Sequence, residues 1–209
     1  RRLLFGDLDF AHQMGDWIEG MARDSDGNLY LGGTFTGTSD FDPGPATFNM
    51  TGAGGTLFVV KLDATGNFVW AQQFASGSIG NLMIDPNDNL YLCGGFSGTH
   101  DFDPGPGTVN LTSNGADDAW IARWNSDGAL AWVRQIGGTG DERFGELALD
   151  TLGNVSAGGA LFSLTIDMNP GPGTATHTNA GGYDIMVLKL DPAGNHLWSD
   201  TMGGTYDDL

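Results

Sequence analysis

The chain has 209 residues, 35 of them glycine, and 40% are hydrophobic; that is enough to bury a core, and the glycines follow no three-residue period, which excludes both disorder and collagen. Twenty-six acidic and 8 basic residues give a formal net charge of -18, which repels phosphate backbones and anionic headgroups and so excludes nucleic acid as a partner. No apolar run reaches the roughly 18 residues of a membrane helix, so membrane insertion is not expected.

In chain order, the first predicted element is a strand at Asp7 to Met14 (DLDFAHQM), which aligns with NFVWAQQF at 67–74 and ALAWVRQI at 129–136. It reads as the fourth strand of a preceding unit, spanning 1–15. Units follow at 16–76, 77–138 and 139–204, and residues 205–209 begin another. Landmarks recur about every 62 residues: the DxDP-like motif at Asp40, Asp101 and Asp167; a Gly-Gly pair closing at Gly33, Gly95 and Gly159; and an aromatic series at Phe10, Trp70, Trp132 and Trp198.

Each unit holds four strand-like runs. In the middle copy these are LMID (Leu82 to Asp85), NLYLCGGFSG (Asn89 to Gly98), DAWIARWN (Asp118 to Asn125) and ALAWVRQI (Ala129 to Ile136). Links such as DSDGN, DATGN and DPAGN place a glycine where a hairpin needs positive φ. The third strand of the first copy is apolar on both faces, Phe58, Val60 and Leu62 alternating with Leu57 and Val59. A strand buried on both sides implies sheets stacked face to face. The predicted fold is therefore all-β: β-propeller-type blades of four antiparallel strands, about three complete repeats plus one extra N-terminal strand, with the aromatic series buried at equivalent positions. Three blades and one strand fall short of the roughly four to eight that close a propeller, so the expectation is a fragment of a longer chain, or else a subunit whose open edges pair with other copies.

The sharpest motif, GTSDFDPGPAT at 37–47, returns as GTHDFDPGPGT at 98–108 and LTIDMNPGPGT at 164–174. Two readings stand. Asp40 with Asp42, Asp101 with Asp103, and Asp167 with Asn169 place hard oxygens two residues apart on a glycine-proline loop, a pattern suited to calcium, with the third copy weakest because one carboxylate is an amide. Alternatively each Asp accepts backbone N–H groups while proline fixes the turn, a corner that needs no metal. No other cofactor is implied.

Catalytic patterns are weak. His12, His100, His177 and His196 show no metal-ligand spacing, and GFSG at 95–98 is not a nucleophile elbow. The acidic pairs Asp117-Asp118, Asp141-Glu142 and Asp207-Asp208 read as solvated loop residues rather than as glycosidase carboxylates. Cys93, the single cysteine, replaces a strand glycine and reads as a small apolar filler. Asn49, Asn110 and Asn154 match the short N-glycosylation sequon.

The run DxxGNxYLxGxFxGTxDFDPGP, from Asp24 and, in closely matching form, from Asp85, together with KLDxxGNxxWA at Lys61 to Ala71, resembles the bacterial β-propeller repeats called SBBP repeats. The resemblance covers nearly the whole chain; it departs in the third copy, at Ser163 to Thr165, Met168 and Asn169. It implies a secreted or surface-attached scaffold, with any export signal outside this sequence. The expected function is a noncatalytic extracellular or cell-surface binding module for adhesion or assembly, with a protein, a glycan or other copies of itself as partner. The alternatives are a self-assembling protein completed by strand pairing between copies and, third, a propeller lyase or glycosidase.

Overall fold

The computed structural model describes residues 16–208, and the structural statements below concern those residues. The expected opening strand, with Phe10 and His12, lies outside them. The first sheet contains β1 (Trp17–Arg23), β2 (Leu29–Asp40), β3 (Asn49–Leu62) and β4 (Phe68–Ser76), paired in that order. The second contains β5 (Ser78–Ile84), β6 (Leu90–Phe96), β9 (Asp118–Trp124) and β10 (Leu130–Ile136), with a separate ribbon of β7 (Thr99–Asp101) and β8 (Asn110–Thr112). In the third, β11 (Glu142–Leu149), β12 (Val155–Leu161), β15 (Asp184–Leu190) and β16 (His196–Met202) form the sheet, and β13 (Thr165–Asp167) pairs with β14 (Thr176–Thr178). All pairings are antiparallel, and no helix occurs among the described residues.

The sheets stack, as the doubly apolar third strand requires. Tyr30, Leu57, Val59 and Phe74 of the first sheet meet Leu82, Leu92, Trp120 and Trp124 of the second. The opposite face of the second, with Tyr91, Cys93, Ile121 and Trp132, meets Phe144, Leu147, Ala157 and Leu188 of the third. Leu57, Phe58, Val59 and Val60 are all fully buried, and one sheet could not bury both faces alone.

The Gly-Gly signature has a steric cause. Each first strand carries a bulge, at Ile18/Gly20, Ile79/Asn81 and Phe144/Glu146. The bulge drives a carbonyl into the second strand: a Cβ on Gly33, Gly94 or Gly159 would lie 1.9, 1.8 or 1.8 Å from the carbonyl oxygen of Trp17, Ser78 or Arg143. The pairing therefore equates Gly94, not Gly95, with Gly33 and Gly159; Cys93 stands where the first unit has Gly32 and Gly95 where it has Thr34, so the pair of glycines in the middle unit sits one place later.

Two further expectations need correction. The first strand of the middle unit starts at Ser78 rather than Leu82, because Ser78, Ile79 and Asn81, which look loop-like, continue the ladder against Gly95, Gly94 and Cys93. The tryptophans also differ in burial. Trp132 is 8% exposed and meets Tyr91 edge-on at 6.1 Å, and its indole N–H donates to the Pro192 carbonyl at 3.0 Å. Trp70 is half-buried, edge-on to Tyr30 at 5.9 Å. Trp198 is 47% exposed. It occupies the same row as the others, across Lys189 from Ser156, but serine stands where the other rows have tyrosine, and no sheet follows it among the described residues.

Candidate functional site

The DFDPGP corners lie after the second strand of each sheet, at the tip of the long excursion to the third. Their geometry is the same three times. Asp40 Oδ1 accepts the N–H of Asp42 at 3.0 Å and of Phe48 at 2.8 Å, and Asp42 Oδ1 accepts that of Gly44 at 2.7 Å. Asp101 accepts from Asp103 and Val109, and Asp103 from Gly105. Asp167 accepts from Asn169 and Ala175, and Asn169 from Gly171. One oxygen of each candidate ligand thus closes its own turn, which is why an amide replaces a carboxylate at Asn169 without changing the corner. Among the described residues no three His, Cys, Asp or Glu side chains converge as a metal group. The residue between the two acceptors anchors the corner: Phe41 and Phe102 are at most 1% exposed and Met168 is fully buried, with Phe41 4.8 Å from Phe58 and Phe102 5.4 Å from Trp120. Its spacing is visible in the sequence, and only its direction had to come from the structure.

The Asp-to-Asn hairpin links are clasps of a second kind. Asp24 Oδ1 accepts the N–H of Asn28 at 2.8 Å while Oδ2 accepts the Asn28 amide at 2.8 Å; Asp63 with Asn67, Asp85 with Asn89, Asp150 with Asn154, and Asp191 with Asn195 repeat it. Hydrogen bonds from Asn67 and Thr65 hold Asp63 well below the usual carboxylate range, and Lys189 with Asn154 does the same for Asp150. For Asp24, burial pushes the value up, and donation from Asn28 and Lys61 outweighs it, leaving a net lowering.

The acidic pairs are not simply solvated, contrary to expectation. Asp118 and Glu142 are fully buried. Asp118 accepts from the Asn114 amide at 3.0 Å and from Gln135 at 2.6 Å; Glu142 accepts the N–H of Gly138 at 2.7 Å and of Ser163 at 2.7 Å. Burial raises the Asp118 value, Gln135 and Asn114 offset part of that, and the Glu142 charge adds to it. Asp117 pairs with Arg143, and Asp141 accepts the N–H of Asp117. Asp208 and Asp207 repeat the pattern, accepting from Gly204 and Tyr183. Asp117 and Asp141 tie the second sheet to the third, while Asp118 is held within its own sheet by side-chain amides, roles hidden in sequence because Arg143 and Gln135 lie many residues away.

Two histidines that are far apart in sequence come together: His177 Nε2 and His196 Nε2 lie 2.9 and 3.0 Å from Ser199 Oγ. Among the described residues no carboxylate orients either ring through a hydrogen bond, so the trio lacks the third member of a catalytic triad there. His100 is separate, bonded to the Ser97 carbonyl. Cys93 is fully buried and burial pushes its thiol up to about 12, so it is an inert filler as expected.

No family model matches the chain. The chain is similar to an uncharacterized WD repeat-containing protein of Acanthamoeba polyphaga mimivirus, 31% identical over 90 residues. The match covers 40% of this chain and 6% of that protein's length. The three stacked four-stranded sheets, built on one strand plan, mark the chain as a repeat protein.

Proposed function

We propose that the chain is a noncatalytic binding scaffold built of propeller-type blades, working in an extracellular or cell-surface setting as the SBBP resemblance implies. The observation that carries this reading is the use of the carboxylates. The groups that could do acid-base chemistry are engaged, blade after blade, in closing turns and joining sheets. Repetition of the same bond set in each unit is what a structural role produces; a catalytic site would single out one place. The name of the mimiviral relative fits a repeat scaffold, and a protein partner is the natural occupant of such a surface.

Two measurements test this. Incubation with polysaccharides and glycosides should release no product, and turnover lost in Glu142→Gln with unchanged melting would make the chain an enzyme. Hydrogen exchange of the chain with and without a captured protein should show protection on the blade rims and grooves. Protection restricted to the edge strands, together with self-association, would favour strand pairing between copies instead.

A further inference from the structure

The third strand of each sheet carries one cation in a cross-strand row with the aromatic series: Lys61, Arg123 and Lys189. Lys61 pairs with Asp24 at 3.2 Å and Lys189 with Asp150 at 2.8 Å. Arg123 breaks the rule. The equivalent Asp85 is held by Asn89 and by the N–H of Asn87, with no cation, and Arg123 has no carboxylate within ion-pair distance among the described residues; its buried Nε has no hydrogen-bond partner. An unpartnered buried guanidinium nitrogen is costly, and two of the three blades avoid it.

Arg123 instead lines a groove of about 590 Å³ together with Asp103, Leu130, Trp132, Arg134 and the facing Ala193. At the same place in the first blade Phe48 packs against Phe68, with ring centres 4.9 Å apart. Val109 and Leu130 stand there in the second blade, and both line the open groove. Two independent departures, a smaller pair and an untied cation, thus coincide in one blade. Arg134 is already committed, donating to the carbonyls of Gly194, Val133 and Ala193, which leaves Arg123 as the free recognition group. The groove also runs along β10, which among the described residues pairs only with β9, and an edge strand leaves half its main-chain groups without a ladder partner.

We propose that this groove binds an extended peptide segment through an acidic side chain, its carboxylate on the Arg123 guanidinium and its main chain along β10. A guanidinium takes a carboxylate in a two-pronged, charge-assisted bond, and strand addition at an edge supplies main-chain affinity. The net charge of -18 does not forbid this. At physiological salt the field is screened over about 8 Å, so the local cation decides. The inference rests on the reading of the chain as a binding scaffold and names one place where it binds.

The test uses the full chain and a capped Thr-Val-Glu-Val-Thr peptide, with the central-Gln peptide for comparison, followed by the NMR signals of the arginine Nε–H groups and the tryptophan indoles. The Glu peptide should shift Arg123 and Trp132 saturably, and the Gln peptide should bind about tenfold more weakly. Arg123→Lys should pair with Asp85, as the other two blades do, and lose binding while melting at or above the parent temperature. Val109→Phe with Leu130→Phe should rebuild the first blade's stack and also block binding. Equal affinity for both peptides, no saturable shift at Arg123, or full binding by the Phe pair would overturn the assignment. If captured proteins protect another face while the peptide does not bind, the groove assignment fails and the scaffold reading stands.

Discussion

Replacing Trp132 and Trp198 separately by alanine turns the stacking of the sheets into a number. The two residues hold equivalent places in their rows but are 8% and 47% exposed. Trp132→Ala removes a buried indole, its edge contact with Tyr91 and its bond to the Pro192 carbonyl, and takes away the ring over which Arg134 lies at 5.4 Å. Truncating a buried tryptophan costs about 3–5 kcal/mol, and a lost hydrogen bond adds about 1 kcal/mol. Trp198→Ala removes a side chain that already faces water over nearly half its surface, so about 1–2 kcal/mol is expected. For a chain of this size each kcal/mol shifts the melting temperature by roughly 2–4 °C. Trp132→Ala should therefore melt roughly 8–24 °C below the parent and Trp198→Ala only a few degrees below it. Calorimetry and urea midpoints at constant slope measure both. Equal losses would refute the reasoning, since it predicts that burial by a following sheet, rather than residue type, sets the cost.

Gly94→Ala should cost at least about 3 kcal/mol or prevent folding, because its Cβ would lie 1.8 Å from the Ser78 carbonyl oxygen, whereas Gly158→Ala, with nothing within 4 Å, should stay within about 1 kcal/mol of the parent. Melting of both variants checks this. Calcium and chelator should leave the melting temperature unchanged, because one oxygen of each corner ligand already closes a turn; a rise with calcium that Asp101→Asn with Asp103→Asn abolishes would establish a metal site. Stability should peak at mildly acidic pH. Asp24, Asp63, Asp150 and Asp191 have lowered values in the fold, so their contribution is present above about pH 4 and is lost as pH falls through those values. Asp118 and Glu19 are raised, chiefly by burial, so they penalise the fold at neutral pH and the penalty is relieved as pH falls. Melting followed from pH 8 to 3 should climb and then drop, and Asp118→Asn should flatten the climb.

The sheet order was legible because the pattern repeats. Asp-to-Gly links, a doubly apolar third strand and a recurring aromatic each have a local cause, and the local causes agree with the fold. The long-range chemistry was not legible. Nothing near Asp118 or Glu142 in sequence says that Gln135, Gly138 and Ser163 will donate to them and permit their burial. Matching Gly-Gly pairs also misplaced one landmark, because Cys93 replaces the first glycine of the pair and Gly95 follows the second, whereas counting nine residues from Asp24, Asp85 and Asp150 reaches Gly33, Gly94 and Gly159, as the strand register does.

Because the blades share one backbone plan, a position at which one copy departs from the other two separates what the fold needs from what it only permits. The exchange of Asp for Asn at Asn169 keeps the corner's bonds, and Met168 keeps its buried anchor, so both are permitted within the fold. Ser156 in the tyrosine row goes with an exposed Trp198, a change matched by the lack of a covering sheet among the described residues. Arg123 is different in kind. Lysine in the same row has a ready partner in each flanking blade, so an arginine that leaves Asp85 and buries an unpartnered Nε forgoes a stabilising pair the fold could make. A departure that costs stability, beside a groove that Val109 and Leu130 leave open in the same blade, is what the proposed peptide site accounts for and the scaffold does not.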